Sequence, residues 1–169
     1  MTNSGKNGSG PARREVKLHC FNCLRSELDK FEQAGEDGLT TTGEWTAGQI
    51  VQHVCETMKR SIDGFEFKAP WFVRLMRPII RMKFVGKAKP IPAGIKLTGD
   101  STTMIPPKSV ALSDAIADLR STIERAKKEK MAQPSPVFGK MTHEDWVNLH
   151  LRHAELHFSF IRLPNGSAL

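Results

Sequence analysis

Three absences narrow what this chain can be. No apolar run approaches the roughly 20 residues that a membrane span needs, and the N-terminus lacks the apolar stretch of a secretory signal. Cysteine is rare: the 169 residues include three, an odd number that argues against a disulfide framework and favours a reducing compartment. We therefore expect a cytoplasmic protein of one domain, long enough to bury a core without covalent staples.

Local signatures of several enzyme classes are missing as well. The sequence has no glycine-rich phosphate loop, no nucleophile elbow and no Glu-x-x-His pair. The first two absences argue against nucleotide-binding and serine hydrolase designs. The third argues against a carboxylate di-iron centre built between helices.

Apolar spacing predicts four long helices, no strand and no internal repeat. Apolar residues recur every three or four positions in four segments, at about residues 15–34, 46–65, 113–130 and 142–163. Thr46 with Gln49, and Thr142 with Asp145, have the spacing of capping boxes, and Ser113 is the expected cap of the third helix. We predict an all-α fold, most economically an up-down four-helix bundle.

The second and third helices are separated by a long connection. Residues 66–112 hold six of the ten prolines. The front part, residues 71–84, is predicted to form a short helix interrupted at Pro78, whereas the proline-rich rear cannot form a regular helix. A loop of this length is usually functional. We expect residues 1–13 to be a disordered tail and residues 14–165 to form the single domain.

The positive charge of the chain is concentrated in this connection. Residues 68–108 carry nine Lys or Arg against one Asp, a sum of +8, while the whole chain carries +7. The favoured interpretation is a covering flap whose apolar side docks on the core while its charges are solvated. The alternative is a basic amphipathic surface for nucleic acid or an anionic membrane.

The histidines carry the most chemical information. On a helical wheel, His150, His153 and His157 fall near the middle of the apolar arc of the last helix. Each buried imidazole needs a partner, at a cost of about 1–3 kcal/mol if it has none. A shared metal ion or a polar pocket would supply partners, and neutral imidazole is a common ligand of transition metals. His53, on the flank of the second helix, is the expected fourth member unless it is partly exposed there.

Other titratable residues are weaker candidates. His19-Cys20-x-x-Cys23 resembles half of a zinc site, but only one further cysteine exists, so we expect Cys20 and Cys23 to be small core residues of the first helix. Glu27 would either accept a hydrogen bond from an imidazole or lie at the exposed end of the helix. His143 is expected to be exposed.

Two segments resemble a known family. Residues 44–54 (EWTAGQIVQHV) resemble the W-(S/T)-x-x-x-x-x-x-H-(L/V) segment of DinB-like proteins. Residues 138–146 (FGKMTHEDW), followed by HLRH at 150–153, are similar to an uncharacterised DinB-like subfamily, a domain of unknown function with a long Pro-rich connection after the second helix. The resemblance spans about residues 15–163.

The resemblance implies a DinB/YfiT-type up-down bundle, often dimeric, with a divalent metal such as Zn or Ni. One ligand would come from the second helix and two, four residues apart, from the last. Carried over, these positions are His53, His150 and residue 154, which is Ala154 here. His153 or His157 would then have to supply the third ligand. Some relatives are thiol-dependent transferases or isomerases that use low-molecular-weight bacterial thiols.

Three functions therefore compete. The first is a divalent-metal-dependent enzyme acting on a small molecule or a thiol, with ligands among His53, His150, His153 and His157. The second is a non-enzymatic binding module, or a metal-free scaffold, whose basic segment binds an anionic partner. The third is a metal-free pocket in which the histidines act as hydrogen-bonding or acid–base groups.

Overall fold

The structure, a computed structural model, describes residues 13–84 and 104–164 and is mostly helical. Its elements in these ranges are α1 Phe21–Gly38, β1 Thr40–Thr41, α2 Ala47–Asp63, α3 Trp71–Leu75, α4 Arg77–Phe84, α5 Leu112–Lys128, α6 His143–Phe158 and β2 Ile161–Arg162. The all-α prediction is confirmed at this level. The predicted tail falls almost wholly on residues outside the described ranges, as does the rear of the Pro-rich connection at 85–103.

Both predicted capping boxes are present. The Thr46 hydroxyl accepts from the Gln49 N–H at 3.2 Å, and the Gln49 side-chain oxygen accepts from the Thr46 N–H at 2.9 Å. Thr142 and Asp145 form the same reciprocal pair at the start of α6, with both distances 3.0 Å. These bonds satisfy N–H groups that a helix start leaves without partners. They fix the first residues of α2, which carries His53, and of α6, which carries His150, His153 and His157.

The first helix begins later than its apolar spacing predicts. Residues 13–18 form no regular secondary structure, and α1 begins at Phe21. The Leu18 N–H donates to a carboxylate oxygen of Glu155 at 2.7 Å, and the Arg14 N–H donates to the Ser159 carbonyl at 3.2 Å. Because their backbone groups bond to α6 and the residues after it, these positions gain nothing from a helix of their own.

The third long helix also differs from its predicted start. Ser113 is not the cap: the N-cap is Ala111, whose side chain makes no capping bond. The chain reaches α5 by passing directly over α2. A Cβ atom placed on Gly48 would lie 2.3 Å from the Val110 carbonyl oxygen. The start of α5 is therefore set by a close backbone approach that only glycine permits.

The prediction of no strand is wrong in one place. The last helix ends at Phe158, five residues before the predicted end, and β2 pairs antiparallel with β1, with Thr41 opposite Ile161. Ile161 is fully buried. The strand pair lets this chain segment leave the helix and still satisfy backbone groups next to the core.

The front of the connection forms two short helices, and their apolar side faces away from the core, contrary to the favoured interpretation. The break lies at Met76, because Pro78 occupies the first turn of α4, where a helix tolerates proline. Arg77 donates to the Pro136 carbonyl at 2.8 Å, and Arg81 forms a 3.0 Å ion pair with Asp145. The large apolar side chains are exposed: Trp71, Phe72, Leu75, Met76, Ile79 and Met82. Charges hold this segment to the body, and its apolar side does not dock on the core.

The core lies among the four long helices. α2 packs against α5 and α6, and α1 packs against the same two helices. The largest fully buried side chains include Trp146, Phe31, Phe158, Met58, Leu119 and Ile123. No helix within the described residues is long and apolar enough to cross a membrane.

Replacing Gly48 tests the close approach of α5 to α2. We expect Gly48→Ala to lower the free energy of unfolding by about 1–3 kcal/mol, because the new methyl group forces apart two well-packed backbones. Urea unfolding followed by circular dichroism measures the change. Gly43→Ala is the matched control, since a Cβ there meets Phe160 at an ordinary 3.8 Å. Equal stability losses in both variants would contradict the packing argument.

Candidate metal centre

Three imidazoles from two helices converge at one point. His53 comes from α2, and His153 and His157 come from α6. One ring nitrogen from each residue lies within 4.8 Å of the other two. The ring centroids of His153 and His157 are 4.4 Å apart, because residues separated by one helical turn share a face. The His53 ring lies 5.0 Å from that of His153 and 4.5 Å from that of His157. We call these three residues the histidine triad.

The Pro-rich connection orients His53. Its Nδ1 lies 2.8 Å from the carbonyl oxygen of Met104. A carbonyl only accepts, so Nδ1 carries the proton and Nε2 keeps a free lone pair. A second bond, from the Gln49 side chain to the Pro107 carbonyl at 2.8 Å, ties the same stretch to α2. Such a bond to a backbone carbonyl is how proteins commonly set the tautomer of a metal-binding histidine.

The triad is partly shielded from water, with His53 buried and His153 and His157 half-buried. His53 is 5% exposed, which excludes the alternative interpretation of a partly exposed residue on the helix flank. The Trp45 indole lies 5.0 Å from the His53 ring and stacks on His157 at 6.1 Å with an interplanar angle of 12°. Met104 covers His53 through its backbone. An indole and a backbone segment therefore flank these imidazoles.

Burial keeps the triad neutral. Desolvation lowers the pKa of His53 and brings that of His157 to about 3, with a further contribution from neighbouring His53. The pKa of His153 falls well below its usual value, first through burial and then through repulsion by the other histidines. All three are neutral near pH 7, and neutral imidazole is the form that binds metal.

The donor set fits a transition metal. The Nδ1 atom of His153 is buried without a hydrogen-bond partner, a situation that costs about 1–3 kcal/mol. Three neutral nitrogens suit Zn, Ni, Cu or Fe, and three protein ligands leave an open coordination position. Tetrahedral ligands at 2.0–2.1 Å from zinc lie about 3.3 Å apart. The three ring nitrogens, which lie within 4.8 Å of one another, would therefore have to come closer together to hold an ion.

His150 lies outside the triad, in the core. Its Nε2 is 2.9 Å from the Ser61 hydroxyl oxygen, and that hydroxyl donates to the Met58 carbonyl at 2.6 Å. The single hydroxyl proton of Ser61 is used in the bond to Met58, so Ser61 can only accept from His150, and Nε2–H of His150 is the donor. The ring stacks on Trp146 at 5.2 Å, and burial lowers its pKa to about 3. The structure does not bring His150 to the other three histidines, and Ala154 is a buried core residue.

The remaining candidates have other partners. Glu27 forms ion pairs with Arg14 at 2.5 Å and Lys30 at 2.8 Å, so its carboxylate balances cations. His143 is half-buried, not exposed as predicted, and its Nδ1 accepts from the Met131 N–H at 3.1 Å. Neither residue adds to the triad.

Sequence reasoning missed the residues that surround the triad. Trp45 carried a usable signal, since the residue just before an N-cap faces the first turns of its helix. Met104 could not have been found from the sequence, because it contributes only a backbone carbonyl, which every residue has. Ser61 was missed for a similar reason: nothing local shows that a mid-helix hydroxyl meets an imidazole from another helix.

The comparisons with known proteins identify a family. The profile described as Protein of unknown function (DUF1569) matches residues 12–163, so the chain belongs to that family. The match includes every helix described above and His53, His150, His153 and His157. No curated protein matched the chain, and no solved structure matched it.

Removing the Ser61 hydroxyl tests the assignment of His150 to the core. We expect Ser61→Ala to lower the free energy of unfolding by about 1–3 kcal/mol, because the buried Nε2–H of His150 loses its acceptor. Thermal and urea unfolding measure the loss. Ser26→Ala is the control, since Ser26 makes the same kind of bond to its own helix but is exposed. If the two variants lose the same stability, the buried bond is not what matters.

Proposed function

We propose that this member of the DUF1569 family is a DinB-like protein that binds one divalent metal ion between α2 and α6. The ligands are His53, His153 and His157, and the protein uses the ion as an enzyme acting on a small molecule or thiol. The observation that carries the proposal is the convergence of three neutral imidazoles from two helices. It is supported by the buried Nδ1 of His153, which has no protein partner.

The proposal changes the register implied by the DinB resemblance. That pattern requires one histidine from the second helix and two, four residues apart, from the last. Placing the pair at His150 and residue 154 puts Ala154 in a ligand position. His153 and His157 are also four residues apart, and they are the pair that faces His53. Moving the pair of ligand positions on the last helix by three residues, from 150 and 154 to 153 and 157, places a histidine at each of the three ligand positions.

The helix arrangement supports the rest of the resemblance. Each of α1 and α2 packs against both α5 and α6, which is how an antiparallel four-helix bundle is organised. We propose that residues 14–165 form this bundle as a single cytoplasmic domain. A homodimer, as in DinB-like proteins, belongs to the same proposal.

The roles of the residues follow from their surroundings. A bound Zn or Ni ion supplies Lewis acidity and lowers the pKa of a thiol or water that reaches its open position. His53, His153 and His157 hold the ion. The Met104 carbonyl keeps the His53 proton on Nδ1, so that Nε2 keeps the lone pair that a metal ion would use. Trp45 excludes water from the side of His53 and His157.

A metal-free acid–base pocket fits less well. General acid–base catalysis works best when the pKa of the group lies near the working pH. Burial brings the pKa of His157 to about 3 and lowers that of His53. An imidazole that stays neutral through the physiological range is better suited to ligation than to proton transfer.

Metal content tests the ligand set. We expect the purified chain to hold about one Zn or Ni ion per chain, and His153→Ala or His157→Ala to lose it, because two imidazoles are too few for a stable site. Elemental analysis after dialysis without chelator, normalised to protein concentration, gives the stoichiometry. His150→Gln is the control: it keeps an N–H donor for Ser61, so its metal content should equal that of the wild type.

Two results would contradict the metal site. The first is absence of metal from the folded wild type even after reloading with zinc or nickel. The second is loss of metal in His150→Gln together with retention in His153→Ala, which would return the site to the other register. Circular dichroism of each variant separates ligand loss from unfolding.

A second candidate function rests on the outer face of α3 and α4. Trp71, Leu75 and Met82 are 76%, 74% and 67% exposed, and they lie beside exposed Lys68 and Arg74. Contiguous exposed apolar side chains on a basic helical segment are typical of membrane-surface binding. Arg77 and Arg81 hold α4 to the body of the protein. We propose that this face docks on an anionic lipid bilayer, with Trp71 in the interface.

Vesicle binding tests the lipid surface. We expect the chain to bind vesicles of phosphatidylglycerol and phosphatidylcholine, less strongly at high salt. The double variant Trp71→Ser, Leu75→Ser should bind about 10-fold more weakly or worse, since each large apolar side chain contributes about 1.5–3 kcal/mol when fully buried. Ile105→Ser, at an exposed apolar residue outside both helices, is the control. Binding to nucleic acid but not to vesicles would overturn the lipid assignment.

A further inference from the structure

We infer that Cys20 and Cys23 form a redox-active dithiol that cycles between two thiols and an intramolecular disulfide. The two sulfur atoms lie 3.1 Å apart, within hydrogen-bond contact of each other. Cys20 is exposed and Cys23 is half-buried, so the expectation that both are small core residues is wrong. The pair is separate from the histidine triad and needs no metal to function.

The position of the pair at a helix start explains why it is accessible and reactive. Cys20 is the N-cap of α1, and its sulfur accepts from the Cys23 N–H at 3.4 Å. The first turn of α1 contains no acidic residue, so no carboxylate opposes the partial positive charge that a helix N-terminus places near a thiolate. The hydrogen bond with Cys20 is also the largest cause of the lowered pKa of Cys23.

The third cysteine provides a contrast within the same chain. Cys55 is fully buried on α2, and its sulfur lies 3.3 Å from the Thr122 hydroxyl. Burial raises the pKa of its thiol to about 11. The thiolate is the reactive form of cysteine, so Cys55 stays inert while the other two react.

The reaction partner that fits is the disulfide of a low-molecular-weight thiol. One cysteine thiolate attacks a sulfur of the small disulfide, which forms a mixed disulfide and releases one small thiol. The second cysteine, as thiolate, attacks the protein sulfur of that mixed disulfide and releases the second small thiol. The protein loses two electrons and two protons, and the small disulfide is reduced to two thiols.

Equilibration with glutathione tests the inference. The full-length chain, reduced and freed of metal, is incubated with defined ratios of reduced to oxidised glutathione, quenched in acid and alkylated. We expect a product that takes up no alkyl group at Cys20 or Cys23 and is about 2 Da lighter than the dithiol before alkylation, because a disulfide lacks the two thiol protons. Digestion should give a peptide in which Cys20 is linked to Cys23. Cys55 should accept the alkylating reagent only after denaturation.

Matched variants separate a dithiol from two independent thiols. Cys20→Ser keeps a hydroxyl at the N-cap position, so α1 still has a cap, and the reaction should stop at a glutathione adduct on Cys23. Cys23→Ser should stop at an adduct on Cys20. Cys55→Ala should form the same internal disulfide as the wild type. Glutathione adducts without internal closure in the wild type, a bond to Cys55, a disulfide between two chains, or no reaction would each overturn the inference.

Discussion

The packing of three neutral imidazoles between α2 and α6, one buried and two half-buried, is the constraint on which the rest of this structure depends. A ring nitrogen removed from water requires a hydrogen-bond partner, and the protein supplies partners for only some of these nitrogens. Met104 satisfies Nδ1 of His53, while Nδ1 of His153 has none. The same desolvation that creates the deficit keeps the rings neutral and their lone pairs free. One physical effect thus both imposes a cost and prepares the donor set that a metal ion would use.

The surrounding architecture keeps that arrangement in register. The two capping boxes set the first residues of α2 and α6, so the angular positions of His53, His153 and His157 follow from helix geometry. Gly48 lets the backbone before α5 approach α2, and the stretch from Met104 to Pro107 is bound to the same helix by His53 and Gln49. The long connection therefore contributes directly to the candidate site. Its Pro-rich composition suits this role, since an irregular segment has carbonyl groups to offer that a helix would use itself.

Two features of the surface stand out beside this core: the outer face of α3 and α4, and the cysteine pair at the start of α1. Arg77 and Arg81 anchor α4 to the body, while the large apolar side chains of α3 and α4 lie outside, which inverts the usual arrangement of a covering segment. At the start of α1, two cysteines lie close together near solvent, while Cys55 is enclosed by the core. Exposed apolar side chains cost free energy in water and exposed thiols are reactive, and neither feature includes a residue of the triad.

Local chemistry in the sequence was enough for the helices, two of their starts and the presence of a polar site. Capping boxes act over three residues and apolar periodicity over a few turns, so both can be read directly. Tertiary contacts decided the rest. Backbone bonds to α6 and its following residues kept residues 13–18 out of α1, and strand pairing ended α6 before its apolar pattern did. The choice between His150 and His153 depended on Ser61 and His53 in another helix. A helical wheel places residues to within tens of degrees, whereas metal ligation is decided over a few ångströms between helices, and only the packed structure contains that information.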